Sequence, residues 1–558
     1  MVTTDTRTRD ALTVLQPGFT GTTAPDWLLR RLGEGLGSVA LFSRNIETPE
    51  QLAALTARLR AEAPDVIVAA DEEGGDVTRL EACSGSSFPG NHALGAVDDT
   101  ALTRAVAHEL GRRLATCGVN LNWAPCADVN SNPDNPVIGV RSFGDDPELV
   151  ARHTAAYVKG LQQAGVAACT KHFPGHGDTA VDSHLELPYN EVNLTTLYAR
   201  ELVPFRAALA AGTKAIMSAH ILLPAVDRSL PATLSPAALT GLLRSPVNEG
   251  GLGYDGVIAT DAIEMRAISA TYGIEQGAVL ALTAGADAIC VGGGLADEEI
   301  VLRLRDALVR AVREGELAEE RLAQAAARVR ALGAWARTAA QGAQSAQRPG
   351  AGEPCLNQRH LDQCHLDQCG RSGSDDLGLV AARRALRVTC DGRPYDPPSG
   401  PVYVAAFTPV ANIAVGDTTP WGVGAELERL LPGSRTTICR ESDVQRGDLT
   451  VFIAHMLRSA AHRRIVIVVR DIHRHGWMET ALHALLAARP DSVVVEMGVP
   501  QAPPSGALHI ATHGAARVCG RAAAEVIAGE EAALHRSQVG SRCALHERPR
   551  TPAHRTRR

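Results

Sequence analysis

Asp182 and His184 stand two residues apart within KHFPGHGDTAVDSH, Lys171 to His184, which also holds His172 and His176. A turn at that spacing lets a carboxylate accept a proton from one imidazole nitrogen and leaves the other nitrogen free. An unperturbed histidine titrates near pH 6.5, so an oriented one can donate to a leaving oxygen and later accept from water. The carboxylate would fix the tautomer and stabilise the cation. One Pro and two Gly among three His argue for a structured loop rather than a helix. Ligation of a metal by His172, His176 and His184 is the competing chemistry. It matches no standard zinc spacing, and Lys171 would repel a cation.

The second chemical element is Asp261, where the apolar run of GVIATDAIEM ends. A carboxylate there can act as a nucleophile. Glycoside cleavage needs one carboxylate on one face of the sugar and a proton donor on the other, about 5 to 5.5 Å away when a covalent intermediate forms. Capping the following helix is the ordinary alternative for Asp261, and Glu264 is a rival nucleophile. Asp71 opens DEEGG, whose glycines permit close backbone approach, and can grip sugar hydroxyls or cap a helix. Arg141 follows the Asn/Pro-rich SNPDNPVIGV and can be held over a ligand or serve in an ion pair. Gly292 to Gly294 can hold phosphate on backbone amides, but a plain glycine-rich turn is the better reading.

These residues fall where short apolar runs end. Eight runs recur with helix-like stretches between them: Leu12 to Gln16, Ser38 to Phe42, Val66 to Ala70, Val119 to Trp123, Val166 to Thr170, Lys214 to Ser218, Gly256 to Thr260 and Ala286 to Val291. Repeated strand-helix units of this number predict a (β/α)8 TIM-type barrel, whose active site lies at the carboxyl ends of the strands. Asp71, Asn122, Asp128, Lys171, His172, His220 and Asp261 all sit at or just beyond such ends. A doubly wound sheet is the alternative, but no dinucleotide glycine fingerprint follows the first run.

The chain then changes character. A Gln/Ala/Gly/Ser-rich stretch carries the tandem repeat HLDQC from His360 to Cys369, which reads as a linker. Further strand patterns follow at Val402 to Phe407, Leu449 to Ile453, Ile465 to Val469 and Val493 to Met497, with helices at Gly424 to Leu431 and Met478 to Ala487. The expected organisation is a catalytic barrel over 1–335, a flexible linker over 336–376, a smaller α/β sandwich domain over 377–533 and a polar, basic, disordered tail over 534–558.

At 558 residues, two sizeable cores are affordable. Hydrophobic content of 45% and charged content of 21% are those of a soluble globular protein, not of a disordered or membrane one. A net charge of -7 gives no general attraction to nucleic acid or anionic lipid. The polar N-terminus has no signal-peptide core, and the 12 scattered cysteines suit reduced thiols. A cytoplasmic protein is expected.

The segment KHFPGHGDTAVDSH resembles glycoside hydrolase family 3, specifically its β-N-acetylglucosaminidase branch. DEEGGDVTRL, NWAPCADVN, NPVIGVRSFG, SAHI and VIATDAIEM support the resemblance in the expected order. It implies retaining, exo-acting hydrolysis of terminal β-N-acetylglucosamine without metal or organic cofactor. Asp261 is then the nucleophile, His184 the acid/base residue and Asp182 its partner. Asp71, Arg141, Lys171 and His172 would bind the sugar. Phosphorolysis is the nearest rival, because His184 in place of a carboxylate would not repel an incoming phosphate; a metal-dependent hydrolase and an inactive sugar-binding protein are more distant ones. Asp76 stands where the family often has Arg, and Glu72 where Gln is common. Both are expected to add negative charge beside Asp71.

Overall fold

The computed structural model describes residues 5–295, 297–346, 375–410, 414–416, 419–445, 449–530 and 538–539. The HLDQC repeat lies outside the described residues, as does the tail from 534 onward apart from Gln538–Val539.

Strands β1 (Leu15–Pro17), β2 (Ser38–Leu41), β3 (Ile67–Ala70), β4 (Leu121–Asn122), β5 (Ala167–Phe173), β6 (Ala215–Ser218), β7 (Val257–Thr260) and β8 (Ile289–Val291) account for the eight apolar runs. The first run is shifted, because Leu12 belongs to the helix Thr6–Thr13 and only its end is strand. Strands β2 to β7 pair side by side in chain order, all parallel. Strand β8 pairs with β1 and meets β7 through a parallel bridge between Ala259 and Ala288.

Alternation along each strand explains why the sheet curls. Ala40, Ala69, Cys169, Met217, Ala259 and Cys290 share one interior cluster, so residues from both ends of the strand order touch the same core. Their neighbours Val39, Leu41, Val68, Ile216, Ile258 and Val291 face a separate core shared with the surrounding helices. Small side chains inside and branched ones outside suit a tightly curled α/β sheet.

The second sheet has the order β11-β10-β12-β13-β14-β9-β15. Its strands are β9 (Arg387–Cys390), β10 (Tyr403–Phe407), β11 (Arg435–Cys439), β12 (Ile465–Val469), β13 (Val493–Glu496), β14 (Leu508–Ala511) and β15 (Gln538–Val539). Only the β14–β9 pairing is antiparallel. Val466 and Val468 face one core while Ile465 and Ile467 face another, so apolar layers lie on both sides. Hence β10, β12 and β13 read as near-continuous apolar runs.

Leu449 to Ile453 is not a strand. It opens the helix Leu449–Ala460, whose buried residues Phe452, Ile453, Met456 and Ala460 recur at helical spacing. The helix Glu319–Ala346 runs into the stretch read as linker. Cysteines 83, 117, 126, 169, 290, 439 and 519 are free, whereas Cys390 is disulfide-bonded, contrary to the expectation of reduced thiols throughout. Among the described residues no helix is long and apolar enough to cross a membrane.

Candidate active site

The carboxyl ends of β3, β5 and β7 bring the chemistry together. Strand β5 extends through Lys171 and His172 and places both in the interior. Lys171 Nζ lies 2.6 Å from Asp71 Oδ1, just past β3, and 2.6 Å from Glu73 Oε1. Arg141 grips Glu73 with both arms, at 2.7 and 3.1 Å. Two buried cations thus share one buried carboxylate. Burial opposes the charged form of Lys171, but Asp71 and Glu73 outweigh it and push the ammonium up to about 12. Burial likewise opposes ionisation of Glu73, and Arg141 and Lys171 reverse that, holding it well below the usual carboxylate range. Arg141 is therefore both an ion-pair member and a rigidly aimed guanidinium. Glu73 was not singled out from the sequence; its place two residues after Asp71 at a strand end was the only signal.

His172 has its Nδ1 2.7 Å from Asp128 Oδ2, and its Nε2 lies 3.4 Å from an Arg141 nitrogen. Asp128 also receives the amides of His172 and His176 and the thiol of Cys126. The ligand atoms of Cys126, Asp128 and His172 lie within 4.8 Å of one another, a grouping able to hold a metal ion. Both oxygens of Asp128 are already engaged by hydrogen bonds, so here the carboxylate is the hub that fixes the start of the loop. His172, His176 and His184 do not converge as a ligand set. His176 instead braces the loop from inside, its Nδ1 2.6 Å from Thr179 Oγ1 and its Nε2 3.2 Å from Ser183 Oγ. Burial lowers its pKa to about 4, keeping it neutral.

At the far end of that loop, Asp182 Oδ1 accepts from His184 Nδ1 at 2.7 Å and from the His184 amide at 2.9 Å. With Nδ1 committed as donor, Nε2 is the nitrogen left to exchange a proton. Burial would lower the His184 pKa, but Asp182 and Asp261 more than compensate and raise it. The loop is docked on the element that follows β7: Ala267 N donates to Ser183 O at 3.4 Å and Arg266 Nε to Leu185 O at 3.2 Å.

Asp261 follows β7 directly. Its Oδ1 accepts only the adjacent Ala262 amide, and the next helix begins at Arg266 behind Met265, so Asp261 is not that helix's cap. Burial would raise its pKa, yet the surrounding His220, His172 and His184 bring it down to about 2. It is ionised at neutral pH. The rival carboxylate Glu264 accepts the amides of Gly292 and Gly294 at 2.8 and 3.2 Å. That contact also removes the glycine turn as a phosphate cradle, because Glu264 fills it.

Glu72 and Asp76 do not behave as added charge beside Asp71. Glu72 is buried with Oε2 accepting from the Arg79 and Leu80 amides, and burial pushes its pKa up to about 7. Asp76 points away into the seam with the second sheet. A cavity of about 950 Å³ opens there, lined by Arg141 and Asp182 from segments around the first sheet and by Trp421, Trp477, Arg470 and Arg474 from segments around the second.

The chain is similar to known proteins in sequence and in structure. Residues 25–332 match the glycosyl hydrolase family 3 N terminal domain. The chain is 35% identical over 322 residues to β-hexosaminidase A of Pseudoalteromonas piscicida, covering 53% of each chain, so it spans about half the length of that relative. It is 38% identical over 271 residues to a β-hexosaminidase of Neisseria meningitidis serogroup C, covering 47% of this chain and 73% of that one. Among solved structures, a family 3 β-N-acetylglucosaminidase from Paenibacillus sp. superposes with a TM-score of 0.78 at 34% identity, over 94% of this chain and 97% of the other.

Proposed function

The chain belongs to glycosyl hydrolase family 3, and from that premise we propose that it removes terminal, non-reducing β-N-acetylglucosamine with retention of configuration. The observation that carries the reading is the 2.7 Å contact of His184 Nδ1 with Asp182 Oδ1, on a loop docked against the segment after Asp261.

In this mechanism ionised Asp261 attacks the anomeric carbon while His184 Nε2 gives its proton to the departing glycosidic oxygen. A glycosyl ester on Asp261 results. Neutral His184 then takes a proton from water, whose oxygen attacks the same carbon and frees the carboxylate. Two inversions restore the starting configuration. Asp182 holds the Nδ1 proton throughout and stabilises the imidazolium. Asp71, Arg141, Lys171 and His172 bind the sugar, with Lys171 and Arg141 pre-aimed by Glu73 so that little ordering is required on binding. No metal or organic cofactor enters any step.

The curled sheet completes a (β/α)8 barrel in this reading, with residues 1–335 as the catalytic domain and 377–533 as a smaller α/β sandwich. The substrates are N-acetylglucosamine-terminated fragments of cell wall or chitin, handled in the cytoplasm.

Proton NMR of 4-nitrophenyl β-N-acetylglucosaminide turnover, with and without inorganic phosphate, tests the proposal. The β-anomer of free N-acetylglucosamine appears first in both cases. A sugar 1-phosphate formed only with phosphate would make the enzyme a phosphorylase, first appearance of the α-anomer would make it inverting, and no product would leave a sugar-binding protein.

A further inference from the structure

The segment that carries Asp71 and Glu73 does not end within the first sheet. After Glu73 the chain reverses in a tight turn: the Glu73 amide donates to Val77 O at 3.1 Å, and Gly74 and Val77 form an antiparallel bridge. Gly74 and Gly75 have φ of 77° and 66°, and a Cβ on Gly75 would lie 2.4 Å from Gly90 Cα. The turn is thus wedged against Pro89 and Gly90 on one side. Its other side is held by Asp76, whose Oδ2 meets Arg470 at 2.5 Å and whose Oδ1 accepts the Ala515 amide at 2.7 Å. Arg470 is the first residue past β12, and Ala515 lies just beyond β14. One carboxylate therefore joins the carboxyl end of β3 to those of two strands in the other sheet. A second link runs parallel: an Arg79 nitrogen donates to Ala414 O at 3.1 Å and lies 3.6 Å from Asp71 Oδ2.

The Asp76 side chain is 2% exposed and that of Arg470 14%. Apart from Asp76, Arg470 has Asp471 at 3.9 Å and the Trp421 ring at 5.8 Å. Other contacts across the seam hold neighbouring segments: Arg384 meets Asp99, and Arg517 meets Ser87, one residue before Phe88, whose carbonyl accepts the Gly75 amide. Among the described residues of Glu73–Val77, Asp76 is the one bonded directly across the seam.

We propose that Asp76 and Arg470 are positioning residues for the sugar pocket: the second sheet grips the Glu73–Val77 turn and so holds Asp71 and Glu73 in register with Lys171 and Arg141. This rests on the reading of Asp71 as a sugar-binding residue. It gives the second sheet a working part in binding and accounts for an acidic residue at position 76, since the partner across the seam is a cation.

The full-length chain and its Asp76→Asn, Arg470→Met and double variants are compared by steady-state kinetics on 4-nitrophenyl β-N-acetylglucosaminide and by hydrogen exchange of the peptide over 71–80. Each single variant raises KM about tenfold with kcat within about threefold, the pattern of lost uniform binding, and exchange over 71–77 quickens. The double variant is no worse than either single one, because both remove the same contact. If Arg470→Met does not fold, Arg470→Lys keeps the charge and gives an intermediate rise in KM. KM and exchange unchanged in folded variants would overturn the proposal, as would additive losses in the double variant. An inactive wild type would sink the function proposed above, and exchange alone would then decide the strut.

Discussion

Glu73 is the shared acceptor of Arg141 and Lys171, with its Oε1 2.7 Å from one and 2.6 Å from the other. Three charged side chains that are almost wholly buried are stable there only as a set. Removing one partner of a buried pair costs roughly 3–5 kcal/mol, because the remaining charge is left without compensation. Glu73→Gln is therefore expected to lower the melting temperature and raise KM together, measured by calorimetry and by kinetics on an aryl glycoside.

The two candidate nucleophiles are separable. Asp261→Asn lowers kcat on the order of a thousandfold or more, as expected for the loss of one member of a catalytic unit. Glu264→Gln keeps an oxygen for the Gly292 and Gly294 amides and retains kcat within about tenfold. Side-by-side kinetics on the same aryl glycoside checks both.

His184→Ala spares substrates whose leaving group needs no proton. Turnover of nitrophenyl glycosides falls less than that of a chitooligosaccharide, for which the loss is about 10² to 10⁴-fold. Equal losses on the two substrates would remove the acid role from His184.

The pH profile follows from the signs of two shifts. Asp261, brought down to about 2, is ionised across the working range. His184 must be protonated to act as acid, and its pKa is raised above that of free histidine, burial opposing the rise and Asp182 and Asp261 driving it. Activity therefore persists above about pH 6.5 and falls as pH climbs through the raised value. Asp182→Ala removes a driving partner and moves the alkaline limb of kcat/KM to lower pH.

The seam between the sheets is acid-sensitive. The rings of His92 and His513 lie 5.3 Å apart, with Asp471 and Asp145 acting on the first and Arg387 on the second. Burial lowers them to about 4 and about 3. The unfolded chain binds protons at these sites from about pH 6.5 downward while the folded one resists. Their contribution is complete above pH 6.5 and is lost as pH falls toward the folded values. Thermal melts between pH 7 and 4 show this slope, and it is shallower in a His513→Gln variant.

Much of the site was legible because it is local. The Asp182 and His184 pair and the position of Asp261 at a strand end depend on neighbours within a few residues. Glu73 was not legible, because its meaning comes from Arg141 and Lys171, far along the chain and on other elements. Asp76 misled for the same reason: a carboxylate near Asp71 in sequence turns away from the pocket into the buried seam and pairs there with Arg470. In the second sheet, β9, β11, β14 and β15 went unread: the exposed Arg435 and Thr436 of β11 break any apolar run, and β15 lies in the tail expected to be disordered yet pairs with β9. Leu449 to Ile453 passed as a strand because five apolar or β-branched residues fit either period, and only the next turn of helix separates them.

The central claim is a covalent intermediate on Asp261. Incubation with a 5-fluoro N-acetylglucosaminyl fluoride, followed by proteolysis and mass spectrometry, tests it directly. The account predicts a single peptide carrying the sugar, with the label on Asp261 and absent in Asp261→Asn. Label on Glu264, or inactivation with no labelled peptide, would contradict it.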